Sequence, residues 1–136
     1  VRSRRQRQMC IRDRYDTVDV DDEQRDFLKN SVGTVEIPKD QSAYYFGVEN
    51  LDFEEAVASE PFINAIAFSV CLMRVKDGTD IDELKAEIRR SANPAKWICV
   101  DVNPNDVRVE SVGDLVLLIM ADDSEKYSEA FYALAE

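Results

Sequence analysis

The feature that most constrains this chain is a hairpin signal near its C-terminal end. Val107 to Val112 and Leu115 to Met120 flank Gly113-Asp114, a dipeptide suited to a two-residue β turn. The second arm, LVLLIM, is apolar at every position, so both of its faces need cover and it belongs in the centre of a sheet. A second run behaves alike. From Ala65 to Lys76, the large Ile66, Phe68, Val70 and Leu72 alternate with Ala65, Ala67, Ser69, Cys71, Met73 and Val75, which predicts another central strand.

Between these strands, Asp80 is a good N-cap with Glu83 three residues on, and Ile81, Leu84, Ile88 and Ala92 follow at helical spacing until Asn93-Pro94. Lys96 to Val102 alternates like a short strand, and Asn103-Pro104-Asn105 is a turn. Asp122 with Glu125 opens a final helix whose buried stripe is Tyr127, Ala130, Phe131 and Leu134. Upstream, Asp22 is placed to cap a short helix through Ser31, with Phe27 and Leu28 on its buried side. Thr34 to Asp40, with Pro38, reads as extended. Ser42 to Phe46 reads as one helical turn closed by Gly47, with Tyr44, Tyr45 and Phe46 packing inward, and Phe53 to Ser59 as a weak strand. The expected fold is α+β, in the order β-β-α-(β)-β-β-α, an antiparallel sheet with helices packed on one face. One core suits 136 residues. It divides into a leader (1–14), an acidic segment with a short helix (15–41) and the α+β domain (42–136).

Charge is unevenly spread. Lys and Arg number 17 against 28 Asp and Glu, a net charge of −11. Six arginines beside Asp13 give residues 1–14 a local charge of +5, leaving −16 on the rest. So acidic a body repels phosphate backbones, which argues against nucleic acid and against direct docking on anionic lipid; cations and basic partners are compatible. The leader, VRSRRQRQMCIRDR, has the physics of a disordered basic arm. The string also resembles a translated sequencing-adapter fragment, of the kind fused to reading frames at the ends of metagenomic contigs. That origin would place it outside the fold and leave any signal peptide or anchor missing.

Of three cysteines, Cys10 lies in the leader, while Cys71 and Cys99 sit in apolar surroundings that suit buried thiols. A Cys71–Cys99 bridge stays open in an oxidising compartment. The longest apolar stretch, Ala65 to Val75, falls well short of the ~20 residues that span a bilayer.

From Tyr44 to Glu136 the chain resembles a bacterial family of small domains of unknown function, often carried on lipoprotein-type extracytoplasmic proteins. The resemblance rests on Tyr45-Phe46-Gly47-Val48, Asp52-Phe53-Glu54-Glu55, Ala67-Phe68-Ser69-Val70 and Arg74-Val75-Lys76-Asp77-Gly78. It continues in Lys96-Trp97-Ile98-Cys99-Val100 and Val112-Gly113-Asp114. It implies a signal peptide, a lipidated cysteine and a place outside the membrane, and brings no catalytic residues.

The sequence has no histidine, which removes Ser-His-Asp and Cys-His catalysis, and no glycine-rich phosphate loop. No residues are assigned to catalysis, and no cofactor is expected. Asp101, Asn103, Asn105 and Asp106 resemble the front half of a calcium loop, but Pro104 intrudes, Asp106 replaces the glycine and Val112 replaces the bidentate glutamate. Asp16, Asp19, Asp21, Asp22 and Glu23 read as a solvated linker rather than a metal site. Cys99 beside Trp97 and Lys96 has no base in sequence reach and reads as a packed thiol. Glu54 and Glu55 point to opposite faces of a strand and cannot share a substrate. Tyr44, Tyr45 and Phe46 form either an aromatic binding groove or a hydrophobic plug under a loop.

The functional expectation is a non-enzymatic extracytoplasmic binding or interaction domain of a bacterial lipoprotein. It would be held at the membrane only through an N-terminal anchor and engage a protein or small ligand other than nucleic acid. The alternative is a cytoplasmic regulatory domain that self-associates through a sheet edge.

Overall fold

The structure, a computed structural model, describes residues 11, 15, 18–62, 67–94 and 102–135, with 134 and 135 described by backbone alone. Among the described residues, four α-helices and five strands follow one another: α1 (Asp22–Asn30), β1 (Val32–Glu36), α2 (Ser42–Phe46), β2 (Phe53–Pro61), β3 (Ser69–Val75), α3 (Ile81–Ser91), β4 (Val107–Val112), β5 (Leu115–Met120) and α4 (Ser124–Ala135). The strands form one antiparallel sheet in the order β1-β2-β3-β5-β4.

The hairpin forms as its sequence demands. Val112 pairs with Leu115 and Val107 with Met120, around Gly113 at φ +58. β5 also pairs along its other side with β3, from Ser69 opposite Met120 to Arg74 opposite Leu115. Every residue of β3 and of β5 is buried. The alternation of side chains then splits the core in two. Cys71, Met73, Val116 and Leu118 face a cluster containing Phe46 of α2 and Leu84 and Ile88 of α3. Phe68, Val70, Leu72, Leu117 and Ile119 face Leu28 of α1 and Tyr127, Ala130 and Phe131 of α4.

The antiparallel α+β architecture is therefore as expected, but the helices divide between the two faces of the sheet instead of sharing one. The cause lies in β3 and β5. Strands apolar on both sides leave a wide hydrophobic surface on whichever face lacks helices, and burying one large apolar side chain is worth about 1.5–3 kcal/mol.

Local signals hold where they are short in range. The Asp80 carboxylate accepts the Glu83 amide at 3.1 Å at the start of α3, as the spacing predicts. At α1 the cap is Asp21, whose side chain accepts from the Gln24 amide at 2.8 Å, one residue before the expected Asp22. α4 begins at Ser124, two residues beyond Asp122, after Asp123 turns through φ +59. The extended segment read over Thr34–Asp40 is a true edge strand shifted towards the N-terminus, at Val32–Glu36. α2 ends on Gly47 at φ +80, where an added Cβ would stand 2.1 Å from the Ser91 carbonyl oxygen. That close approach seats the end of α2 on the end of α3 and carries Phe46 into the core.

Two sequence readings meet the N-terminal residues differently. Ile11, inside the leader expected to stay out of the fold, is buried in the α1–α4 cluster with Tyr15 and Val18. The rest of the leader, Cys10 included, lies outside the described residues, as do Lys96 to Asp101 of the expected short strand. No described helix is long and apolar enough to cross a membrane.

Candidate functional site

Two helices begin at the same place. The N-terminal ends of α1 and α4 meet over the end of β5, and between them lies an open cleft of about 800 Å³. Its wall is acidic: Asp19, Asp21 and Glu23 come from the approach to α1 and its first turn, Asp122 and Asp123 from the turn before α4. All five are exposed, and Lys126 is the one cation lining the cleft among the described residues. Carboxylates at helix N-termini are favoured by the helix dipole and by free backbone amides, so each helix locally accounts for its own acids. Their convergence is a product of the sheet order, which sets α1 and α4 on one face.

The floor is aromatic. Phe68, just before β3, lies edge-to-face against Phe27 at 5.9 Å and Tyr127 at 5.6 Å between centroids. Tyr15 completes the group at 6.3 Å from Phe68 and 6.4 Å from Tyr127. Such arrangements set ring edges against ring faces and hold the group in one geometry. Gln24 crosses the cleft and donates through Nε2 to the Tyr127 hydroxyl at 3.2 Å, tying the two helices together. Burial pushes the Tyr127 phenol up, and the nearby Asp123 and Asp122 push it further, against the Gln24 hydrogen bond. Behind it the Tyr15 hydroxyl donates to Ser59 Oγ at 2.6 Å in the interior, and burial holds that phenol protonated well above its ordinary range.

Among the described residues no three Asp, Glu, Cys or His side chains stand close enough to hold a metal ion. The cleft carboxylates line a rim; they do not converge on a point. What the arrangement offers is a negative, half-open surface over an apolar base, suited to a cationic group with an apolar stem.

The residues singled out in the sequence fall elsewhere. Tyr44, Tyr45 and Phe46 occupy α2 and diverge. Phe46 is fully buried, Tyr45 is half-buried and Tyr44 is 46% exposed, so they do not all pack inward and do not line one groove. Tyr44 and Tyr45 touch edge-to-face at 4.9 Å. Burial raises the Tyr45 phenol, with help from Glu60 and Cys71. Of the calcium-like set, Asp101 lies outside the described residues. Asn103 caps a single 3-10 turn, Pro104–Asp106, by accepting the Asn105 amide at 2.9 Å. That use as a cap accounts for the Pro-Asn turn. Cys71 is buried beside Ser69, 3.3 Å from its hydroxyl, which donates to Glu60 at 2.7 Å; Cys99 lies outside the described residues, so the pairing of the two is not described. Phe53 and Glu55 flank an irregularity at Glu54, where β2 shifts register against β3.

Sequence reasoning missed the cleft. It read the acids before α1 as a solvated linker and Asp122 as a cap, each sound locally. Phe27, Phe68 and Tyr127 come from three distant segments, and only the strand order brings them together. Comparisons with known protein families, with curated proteins and with solved structures find no match to this chain.

Proposed function

We propose that this chain is a non-enzymatic binding domain that holds a cationic segment of a partner in the cleft between α1 and α4. The observation that carries the reading is the pairing of five exposed carboxylates with an aromatic base at one site. The partner is a lysine- or arginine-rich peptide stretch. Its charged heads meet the acidic rim while its methylene stems lie towards Phe27 and Tyr127. The net charge of −11 supports the same polarity, since it attracts basic partners and repels nucleic acid. The extracytoplasmic part of the reading rests on the sequence resemblance.

The test is titration of the full chain with a fluorescent lysine- and arginine-rich peptide at several salt concentrations. Binding that weakens steeply with salt, and weakens about tenfold on Asp19→Lys or Asp122→Lys, supports the reading. Glu49→Lys and Asp77→Lys, at exposed acids away from the cleft, serve as controls. Binding equally sensitive to the control substitutions would reduce the effect to net charge and refute the site.

A further inference from the structure

The geometry points to a second copy of this chain as the partner of the exposed edge of β1, joined by antiparallel β1–β1 pairing about a two-fold axis at Thr34. The proposal is independent of the cleft reading and deepens the self-association alternative.

The Phe62 amide donates to the Ser31 carbonyl at 3.2 Å and the Ile37 amide to the Ala56 carbonyl at 2.9 Å, which fixes the alternation of the β1–β2 ladder. In an antiparallel pair, hydrogen-bonded residues alternate, so Gly33 and Val35 turn their amides and carbonyls towards β2. Val32, Thr34 and Glu36 turn theirs outward, and among the described residues no strand pairs with that edge. An unpaired edge is a template for another strand unless charge, proline or a bulge blunts it. Within β1 the only charged residue is Glu36, at its end, and there is no proline.

The side chains then favour a copy of the same edge. With Thr34 opposite Thr34, Gly33 lies opposite Val35 of the second copy and Val32 opposite its Glu36. On the α2–α3 face, the Phe62 ring lies across Gly33, its Cε1 2.6 Å from where a Cβ would stand. Phe62 is 76% exposed and Val35 is 51% exposed. The pairing sets the exposed Val35 of each copy beside the other's Gly33 and against the exposed Phe62 ring that covers it. Small meets large twice, as a two-fold interface requires. On the α1 face the charges are complementary. Lys29, at the end of α1, lines a cleft with Val32 and Thr34, at one end of β1. Glu36 stands at the other end of the strand, so antiparallel pairing brings each Glu36 opposite Val32, next to the other copy's Lys29. Opposite charges across a sheet edge select register and direction.

Sedimentation of the full chain from micromolar to millimolar, in physiological salt that screens the −11 charge of each copy, tests the proposal. The expected result is a reversible doubling of mass, with concentration-dependent exchange protection at the Val32, Thr34 and Glu36 amides. Thr34→Pro removes one outward donor and Val35→Lys places a charge in the contact. Each is expected to weaken dimerisation about tenfold or more with unchanged circular dichroism. Glu36→Lys is expected to weaken it too, and Lys29→Glu with Glu36→Lys to restore it. A chain that stays monomeric throughout overturns the proposal. So does a dimer indifferent to Val35→Lys and Thr34→Pro, or a charge swap that fails to restore association.

Discussion

Arg74 is the one arginine in the sheet centre, and its environment makes an asymmetric prediction. It sits in β3 at 3% exposure, with Nη1 2.9 Å from each oxygen of Asp114 and Nε 3.6 Å from Glu55. Its side chain is 4% exposed, whereas Asp114 and Glu55 are 48% and 39% exposed. The arginine has been taken out of water and its partners only half so. Removing one member of a fully buried pair costs about 3–5 kcal/mol, because the remaining charge is left without compensation. Asp114→Asn keeps the turn and one acceptor, and Glu55 stays in place, so about 2 kcal/mol is expected. For a chain of this length that is a fall of roughly 6–8 °C in Tm. Arg74→Met leaves an apolar side chain in an apolar site and returns Asp114 to water, so its effect is expected within about 1 kcal/mol of zero. Urea and thermal melts of both variants, with a check that the denaturant slope is unchanged, measure the difference. The reasoning is refuted if Arg74→Met costs as much as Asp114→Asn, or if Asp114→Asn costs no more than about 0.5 kcal/mol, the value of a surface pair.

Gly47→Ala is expected to cost about 3 kcal/mol or more, since it combines a positive φ with a Cβ 2.1 Å from the Ser91 carbonyl; Gly78→Ala, also at positive φ but in open space, is expected to cost about 1 kcal/mol by thermal melting. Leu117→Asp places an unpaired charge in a strand residue 1% exposed, and loss of the cooperative melt is expected. Ile11→Ala is expected to destabilise by about 2 kcal/mol, because Ile11 is 1% exposed against the α1–α4 cluster; an unchanged Tm would show that this residue lies outside the fold. Burial holds the Tyr15 phenol protonated beyond the pH at which an unfolded chain ionises it, near 10. The folded state therefore binds more protons there. Its stability is intact below about pH 10 and falls as pH rises above it, by up to ~1.4 kcal/mol per pH unit for each such phenol; Tyr15→Phe should flatten that fall in an alkaline urea series.

The hairpin, the Asp80 cap and the two central strands were legible because their causes are local: a turn dipeptide, an oxygen three residues from an amide, an alternation within one run. β1 was half legible. Val32 to Glu36 carries too little apolar pattern to announce a strand, and its register comes from β2. The two-sided placement of helices was present in the residues, since LVLLIM is apolar on both sides and Ser69–Val75 largely so, yet it follows only when the sheet is considered whole. Tyr44, Tyr45 and Phe46 diverge because consecutive residues of a helical turn stand about 100° apart. The cleft was not legible, since its acids look like caps and linkers wherever they are viewed singly.

The position of β5 beside β3 sets an order of events for a chain emerging from the ribosome. β2 and β3 are made early, but the strand that covers the inner side of β3 comes some forty residues later, behind α3 and β4. Until Met120 has emerged, the side of Ser69–Val75 away from β2 presents a largely apolar edge without its partner strand. Any stall, nick or premature stop within that interval yields a fragment primed to pair with others of its kind, and the proteolytic and chaperone burden of this protein should concentrate there.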